Sequence, residues 1–413
     1  MYSWFYLIFQ ALNFLSNGFL MILLRKLLVV NLVLAGVANF SAHADELDTL
    51  QFRVGQTWQY DSNIFRLSDA VTGPVSDHFG VTTIGAKIDK RYGLQRFELD
   101  VNANRYNYKN FSELDFTAVN YAAAWRWSFT PSLYGNFTTD RREYTDNTAN
   151  FQNQGQLNRR TDTVTLLDAE YAIDGPWRVL GGVFERSSSN SQPFTFEGDS
   201  KVVGVEAGVR YVFASDSSFA YRLKQGRGEY PNRVLSSSFA SEFKDREHEF
   251  RLIWPITGKT TIQSRLSYFD RSHDGLAARD FSGFIGQLEA TWMPTGKTTI
   301  NGGVVRDLGD YQTNNISYYQ GNRFFIAPTW KPTEKTAVKF RYDHGVRNYK
   351  GSLPGFIANN RRDTTDLSEL GLEWEVIRAV KLSTSVFSDR RKSNESGGDY
   401  KSHGVNFSVL ASF

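Results

Sequence analysis

The sequence predicts an all-β chain, a transmembrane antiparallel up-and-down β-barrel of about 18 strands (16–18), with no plug domain. Three observations predict it. Apolar and polar residues alternate with a period of two along most of the chain. Tryptophans recur every 38 residues, each just ahead of a short turn. Short turns take turns with longer polar loops from residue 61 onward.

The alternation places the strands. Phe52, Val54, Trp58 and Tyr60 face one way, and Gln51, Arg53, Thr57 and Gln59 the other. Phe97, Leu99, Val101 and Ala103 oppose Glu98, Asp100, Asn102 and Asn104. Val119, Tyr121, Ala123, Trp125 and Trp127 oppose Asn120 and Arg126, and Val203 to Phe213 oppose Glu206 and Arg210. Phe250, Leu252 and Trp254 oppose Glu249 and Arg251, and Val405 to Phe413 close the chain. Such rows are strands with one apolar face.

Short turns are expected near 89–93, 128–132, 173–177, 214–218, 255–259, 293–297, 331–335 and 376–380. Longer loops are expected near 61–77, 109–115, 145–160, 187–199, 228–244, 270–281, 307–320, 345–361 and 388–399. Trp254, Trp292 and Trp330 each precede such a turn, as in Trp254-Pro255-Ile256-Thr257-Gly258-Lys259, and Trp127 and Trp374 occupy equivalent places. A propeller blade has a similar period but four shorter strands. In a membrane barrel, these five tryptophans form an interfacial girdle on the short-turn side.

Composition sets the outer bounds. The chain has 413 residues, 47 Lys+Arg against 44 Asp+Glu, no Cys, 33 Gly, 15% aromatic residues and a mean hydropathy of −0.41. The missing cysteines exclude disulfides and thiolate metal sites. The charge balance speaks against nucleic acid as a partner. Many aromatics with a hydrophilic average suit a sheet that is greasy outside and polar inside.

Residues 1–44 hold no acid and two bases, Arg25 and Lys26, followed by an apolar run to Ala38 and then Ala42-His43-Ala44. That order is a signal peptide cut after Ala44, with Met21 as the start of translation and an upstream extension before it. The competing possibility is an uncleaved membrane anchor. Residues 45–413 form the outer-membrane barrel.

The polar rows define a lumen. Its candidate lining is Glu98, Asp100, Arg126, Asp168, Glu170, Glu206, Arg210, Glu249, Arg251, Arg265, Glu289, Arg323, Lys339, Arg341 and Glu373. The mixed signs suit a hydrated wall of compensating charges or a transverse-field constriction, not an anion pore lined by bases. Arg141-Arg142, Arg159-Arg160, Arg361-Arg362 and Arg390-Arg391 stand beside the long loops. They suit either lipopolysaccharide phosphates or solvated pairing with Asp140, Glu143, Asp363 and Asp389. No two of His78, His248, His273, His344 and His403 stand at metal-ligand spacing, and no P-loop, GxSxG or HExxH occurs. No enzyme, metal or cofactor is expected.

Tyr60-Asp61-Ser62-Asn63-Ile64-Phe65-Arg66-Leu67 is the most distinctive segment. Asp61 and Asn63 suit an Asx turn ending the first strand, with Ile64 and Phe65 tucked back against the barrel. A ligand or partner contact is the alternative. The same segment, the Trp-Pro turns, the barrel length and the terminal Phe413 resemble the β-barrel porin-2 superfamily. Within it the chain is similar to EpsL-type outer-membrane proteins of exopolysaccharide synthesis, found with exosortase B and PEP-CTERM systems. The resemblance implies a Gram-negative outer-membrane pore for polysaccharide export. It implies contacts with outer-membrane lipids including lipopolysaccharide, with periplasmic polysaccharide-export proteins, and with the barrel-assembly machinery through Phe413. A general or nutrient-specific porin for small solutes, and a structural or adhesive barrel with an occluded lumen, are the alternatives.

Overall fold

The computed structural model describes residues 49–70, 73–146, 157–192, 197–233 and 238–413. The expected signal peptide and the Met21 start lie outside these residues. No helix among them is long and apolar enough to cross a membrane.

Among the described residues, eighteen antiparallel strands lie between Leu50 and Ser412. The first nine are β1 (Leu50–Asp61), β2 (Asp77–Tyr92), β3 (Gln95–Tyr108), β4 (Phe116–Thr130), β5 (Leu133–Asp146), β6 (Asn158–Ala172), β7 (Trp177–Asn190), β8 (Ser200–Val212) and β9 (Ser218–Glu229). The second nine are β10 (Glu242–Thr257), β11 (Thr260–His273), β12 (Phe281–Thr295), β13 (Thr298–Thr313), β14 (Ile316–Thr333), β15 (Thr336–Lys350), β16 (Arg362–Ile377), β17 (Val380–Ser393) and β18 (Tyr400–Ser412). Each strand pairs with its neighbours in sequence, and β1 pairs with β18 from Arg53↔Ser412 to Asp61↔Gly404. The sheet is therefore a closed up-and-down barrel without a free edge, the arrangement that satisfies every strand amide in an apolar medium.

The expected short turns all appear, and of the nine longer connections all but one separate strands, with 61–77, 145–160, 187–199 and 228–244 lying in part outside the described residues. The exception is 307–320. There β13 and β14 continue as strands and meet through Asn314 and Asn315 alone. Pairing of β12 with β13 stops at Gly286↔Arg306, whereas β13–β14 pairing runs on to Thr313↔Ile316. Asp307-Leu308-Gly309-Asp310-Tyr311 reads as a polar loop because the groups that bury it, such as Arg271 and Tyr230 around Asp310 and Tyr349 around Tyr311, come from other parts of the chain.

The outward row is apolar and exposed. Val203, Val205, Leu266, Phe284, Leu288 and Val304 are each 46–57% exposed. Trp254, Trp292, Trp330 and Trp374 project outward near the short turns, each about half exposed. Trp177, the first residue of β7, joins them at the same end. Trp127 also has the outward phase beside a short turn but is covered where the others are exposed. It lies over Gly135, where an added Cβ would come within 2.5 Å of the indole, and its ring sits 4.8 Å from that of Phe129, leaving it 8% exposed. The spacing located Trp127, but the small neighbour that lets it lie flat was not part of the pattern.

Candidate functional site: a charged inner wall with a narrowed mouth

Residues two apart on a strand share a face, so a polar contact between neighbouring strands ties their faces together. Arg126 meets Glu98 at 2.9 Å, and Arg53 pairs with Asp100. Asn136 donates to Asp168 at 3.0 Å, and Arg210 meets Glu170 at 2.7 Å. Glu206 faces Arg222 and Lys224. Glu249 receives Lys224 and Arg265 at 2.7 Å and Arg251 at 2.6 Å. Glu289 lines a hollow with Asn301, Arg323 and Arg341, and both arginines reach Asp343. Lys339 meets Glu373 at 2.5 Å. The structure thus brings together all fifteen expected lining residues on one face of the sheet.

That face is the inner one. Glu197, in the loop between β7 and β8, contacts Arg160 of β6 at 2.7 Å and Arg347 of β15 at 3.3 Å. β6 and β15 stand nine strands apart in either direction around the ring, so one carboxylate reaches both only through the interior. Arg160 shares its phase with Asp168 and Glu170, and Arg347 shares its phase with Lys339 and Arg341.

The mouth at the long-loop end is narrowed by two further elements. The β13–β14 tip places Asp310 against Arg271 and 2.7 Å from the Tyr230 hydroxyl. Its Gln312 accepts from Arg233 at 2.7 Å, while Tyr311 packs 4.7 Å from Tyr349. The β1–β2 loop buries Ile64, Phe65 and Leu67 against Val75, Phe111, Leu114 and Leu157. An apolar cluster of Phe184, Val202, Tyr230 and Phe243 lies on the inner wall itself. A purely polar lining was expected. Here the rings lie over Gly204 and Gly228, whose missing Cβ atoms leave room for them.

The Tyr60–Leu67 segment is a clasp across the closing seam. Asn63 N–H donates to Asp61 at 2.8 Å, the expected Asx turn. The Asn63 amide donates to the carbonyls of Leu67 and Lys401 at 2.8 and 3.0 Å, and Ser402 donates to Asp61 at 2.5 Å. Arg66, held at a left-handed φ of 54°, meets Asp61 at 2.9 Å and Asp389 at 3.1 Å. Burial works against the Arg66 cation, but Asp61 and Asp389 outweigh it and raise its pKa above the ordinary guanidinium value.

Arg279, between β11 and β12, is fully buried. It donates to the carbonyls of Thr313, Ile316 and Ser238 at 2.6, 2.7 and 2.9 Å. With no carboxylate paired to it, burial and the nearby Arg233 charge lower its pKa to about 10. Arg279→Ala is expected to cost about 2–3 kcal/mol, because it strands buried carbonyls that bonded a cation. Amide exchange at 313–317 should then accelerate; unchanged protection would show that the tip holds without this rivet.

The arginine pairs divide. Arg141 and Arg159 reach Glu143, Arg142 reaches Asp140, Arg160 reaches Asp162 and Arg361 reaches Asp363. Asp389, expected as a partner of Arg390 or Arg391, is instead taken by Arg66 across the seam. Arg391 donates to the Gly398 carbonyl at 2.6 Å. Among the described residues no three His, Asp or Glu side chains converge as metal ligands. Several important residues were missed from the sequence: Glu247, Asp343 and Arg347 share phase with named lining residues of their own strands and were legible by extending the rows, whereas Lys224 sits on β9, where no row was read, and joins the face through its pairing with Glu206. Glu197 was not legible, since loop residues carry no period.

No curated protein matches the chain. Among solved structures it is similar to the outer membrane protein OpdK from Pseudomonas aeruginosa, at 14% identity over 88% of this chain and 99% of that one, with a TM-score of 0.46. It is similar to a BenF-like porin from Pseudomonas fluorescens Pf-5, at 13% identity over 89% and 99%, with a TM-score of 0.48. OccK2 (OpdF) from Pseudomonas aeruginosa, solved in complex with glucuronate, matches at 13% identity over 88% and 98%, with a TM-score of 0.49. Residues 256–413, from the last turn of β10 through β18, match the family described as putative beta-barrel porin 2. The chain is a closed eighteen-strand up-and-down β-barrel, and its residues 256–413 are similar to that porin family.

Proposed function

We propose that this protein is an outer-membrane channel through which small polar solutes diffuse passively. The observation that carries it is the Glu197 bridge. A barrel of this strand number encloses an aqueous bore, and its wall is lined by charges of both signs. A carboxylate held between arginines of opposite walls divides that bore near its mouth. Division suits small hydrated solutes and works against a polymer threading through. The exposed apolar row and the tryptophans at the short-turn end support placement in a membrane.

Glu197→Gln is expected to raise single-channel conductance in a planar bilayer and to shift selectivity toward anions, because Arg160 and Arg347 lose an internal counter-charge. Liposome swelling with sugars of graded size tests the reading directly. Entry that stops at short oligosaccharides supports it. A silent protein, with or without Glu197, would establish the occluded structural barrel instead.

Polysaccharide export is the second reading, and it rests on the resemblance carried by the Tyr60–Leu67 segment and the Trp-Pro turns. That segment's polar groups are engaged at the seam, which weakens its value as a ligand contact. Deleting the gene separates the two: loss of surface polysaccharide supports export, and slowed solute uptake supports the diffusion channel.

A further inference from the structure

Nearly every charge on the inner wall has a partner, but one exterior patch does not. On β16, β17 and β18 the inward positions include Asp363, Asp389 and Ser402, which are bonded within the barrel. The alternate positions therefore face outward. They include Arg362, Arg390, Lys392 and Lys401, all exposed. None of the four makes an ion pair among the described residues. Some cations elsewhere on the rim are paired: Lys201 with Glu185 at 3.3 Å, Lys244 with Asp274 at 2.9 Å and Arg105 with Asp115 at 3.7 Å.

Two details show that the patch is short of negative charge. Arg390 stands directly opposite Lys401 in the β17–β18 register, an arrangement that repels. The one outward carboxylate beside Arg390 is Asp366, and it already accepts from His344 at 2.8 Å and Tyr342 at 2.9 Å. Position adds a third detail. Four residues further toward the short turns, the same outward rows carry Leu370, Val386 and Val405, the start of the apolar band. The cations thus stand at the height where an apolar surface gives way to headgroups.

We infer that the outer face of β16–β18 is a binding site for the phosphate of a membrane lipid headgroup. Arg362 and Arg390 supply planar donor forks that match phosphate oxygens, and Lys392 and Lys401 supply point charges. A phosphate seated between Arg390 and Lys401 turns a repulsive cross-strand pair into an attractive triad. This inference rests on the membrane placement proposed above, not on what passes through the bore.

The test uses the full protein in neutral detergent. Native mass spectrometry with added bis-phosphorylated lipid A is expected to show a retained lipid. A variant carrying Arg362→Gln, Arg390→Gln, Lys392→Gln and Lys401→Gln should bind it on the order of a thousandfold more weakly, given the attraction of each cation to an anionic surface. Dephosphorylated lipid A should bind the unaltered protein as weakly as lipid A binds the variant. Equal binding by both proteins, or by both lipids, overturns the inference; retention of inorganic phosphate in place of the lipid overturns the headgroup assignment. A second measurement guards against misfolding. In neutral detergent alone, Lys401→Gln should raise the unfolding temperature by relieving repulsion, and in lipid A bilayers it should lower it. The same sign in both media also overturns the site. Conductance in a phosphate-free bilayer keeps the two proposals apart, since a conducting protein without lipid binding fails this inference alone.

Discussion

Glu249→Leu is expected to destabilise the barrel by about 3–5 kcal/mol, the loss that follows when one member of a buried ion network is removed. Glu249 is fully buried on the inner wall and is approached by Lys224, Arg222, Arg251 and Arg265. Without it Arg251 keeps no ion pair among the described residues, Arg222 and Arg265 keep Glu206 and Glu247, and the carboxylates left to Lys224 stand 3.9 and 4.0 Å away. Urea unfolding in lipid vesicles, followed by tryptophan fluorescence, gives the magnitude. Glu373→Gln is the control. Its partner Lys339 is 49% exposed, so screening should hold that loss below about 1 kcal/mol. Adding Lys224→Met to Glu249→Leu should recover much of the deficit, because removing both charges avoids stranding one. Equal losses at Glu249 and Glu373 would show that burial does not govern these pairs.

Arg66→Gly is expected to cost about 3 kcal/mol, although glycine suits the local backbone better. At a φ of 54° a purely conformational role would make glycine stabilising. The clasp makes the opposite demand, since losing the guanidinium leaves Asp61 and Asp389 with side chains only 6% and 18% exposed and no shared cation. The effect should concentrate at the seam, with faster amide exchange in β1 and β18 than in β5 and β6. It should also lower the temperature at which the folded band disappears on a detergent gel. A variant as stable as the parent would remove the clasp from the account of how the barrel closes.

The strands were legible because each carries its own signal. In Phe250-Arg251-Leu252 every second residue declares which medium it meets, and no distant contact is needed to read that. The lining residues were legible for the same reason. What failed to show was whatever depended on a neighbour in space. Trp127 has the same sequence context as Trp254 but lies against Gly135. Asp310 and Tyr311 read as loop residues because their partners, Arg271, Tyr230 and Tyr349, come from other strands. Asp389 had Arg390 beside it in the chain and took Arg66 from across the seam.

Period and turn chemistry alone determined the architecture, the strand number and which face of each strand is polar, because a pleated strand sorts its side chains locally. Only the tertiary structure decided how the mouth is narrowed, which charges neutralise which, and where cations are left over. Those outcomes depend on closure of the ring. Closing it brings β6 within one carboxylate of β15 and β1 against β18, and no local rule encodes a distance that exists only once the last strand meets the first.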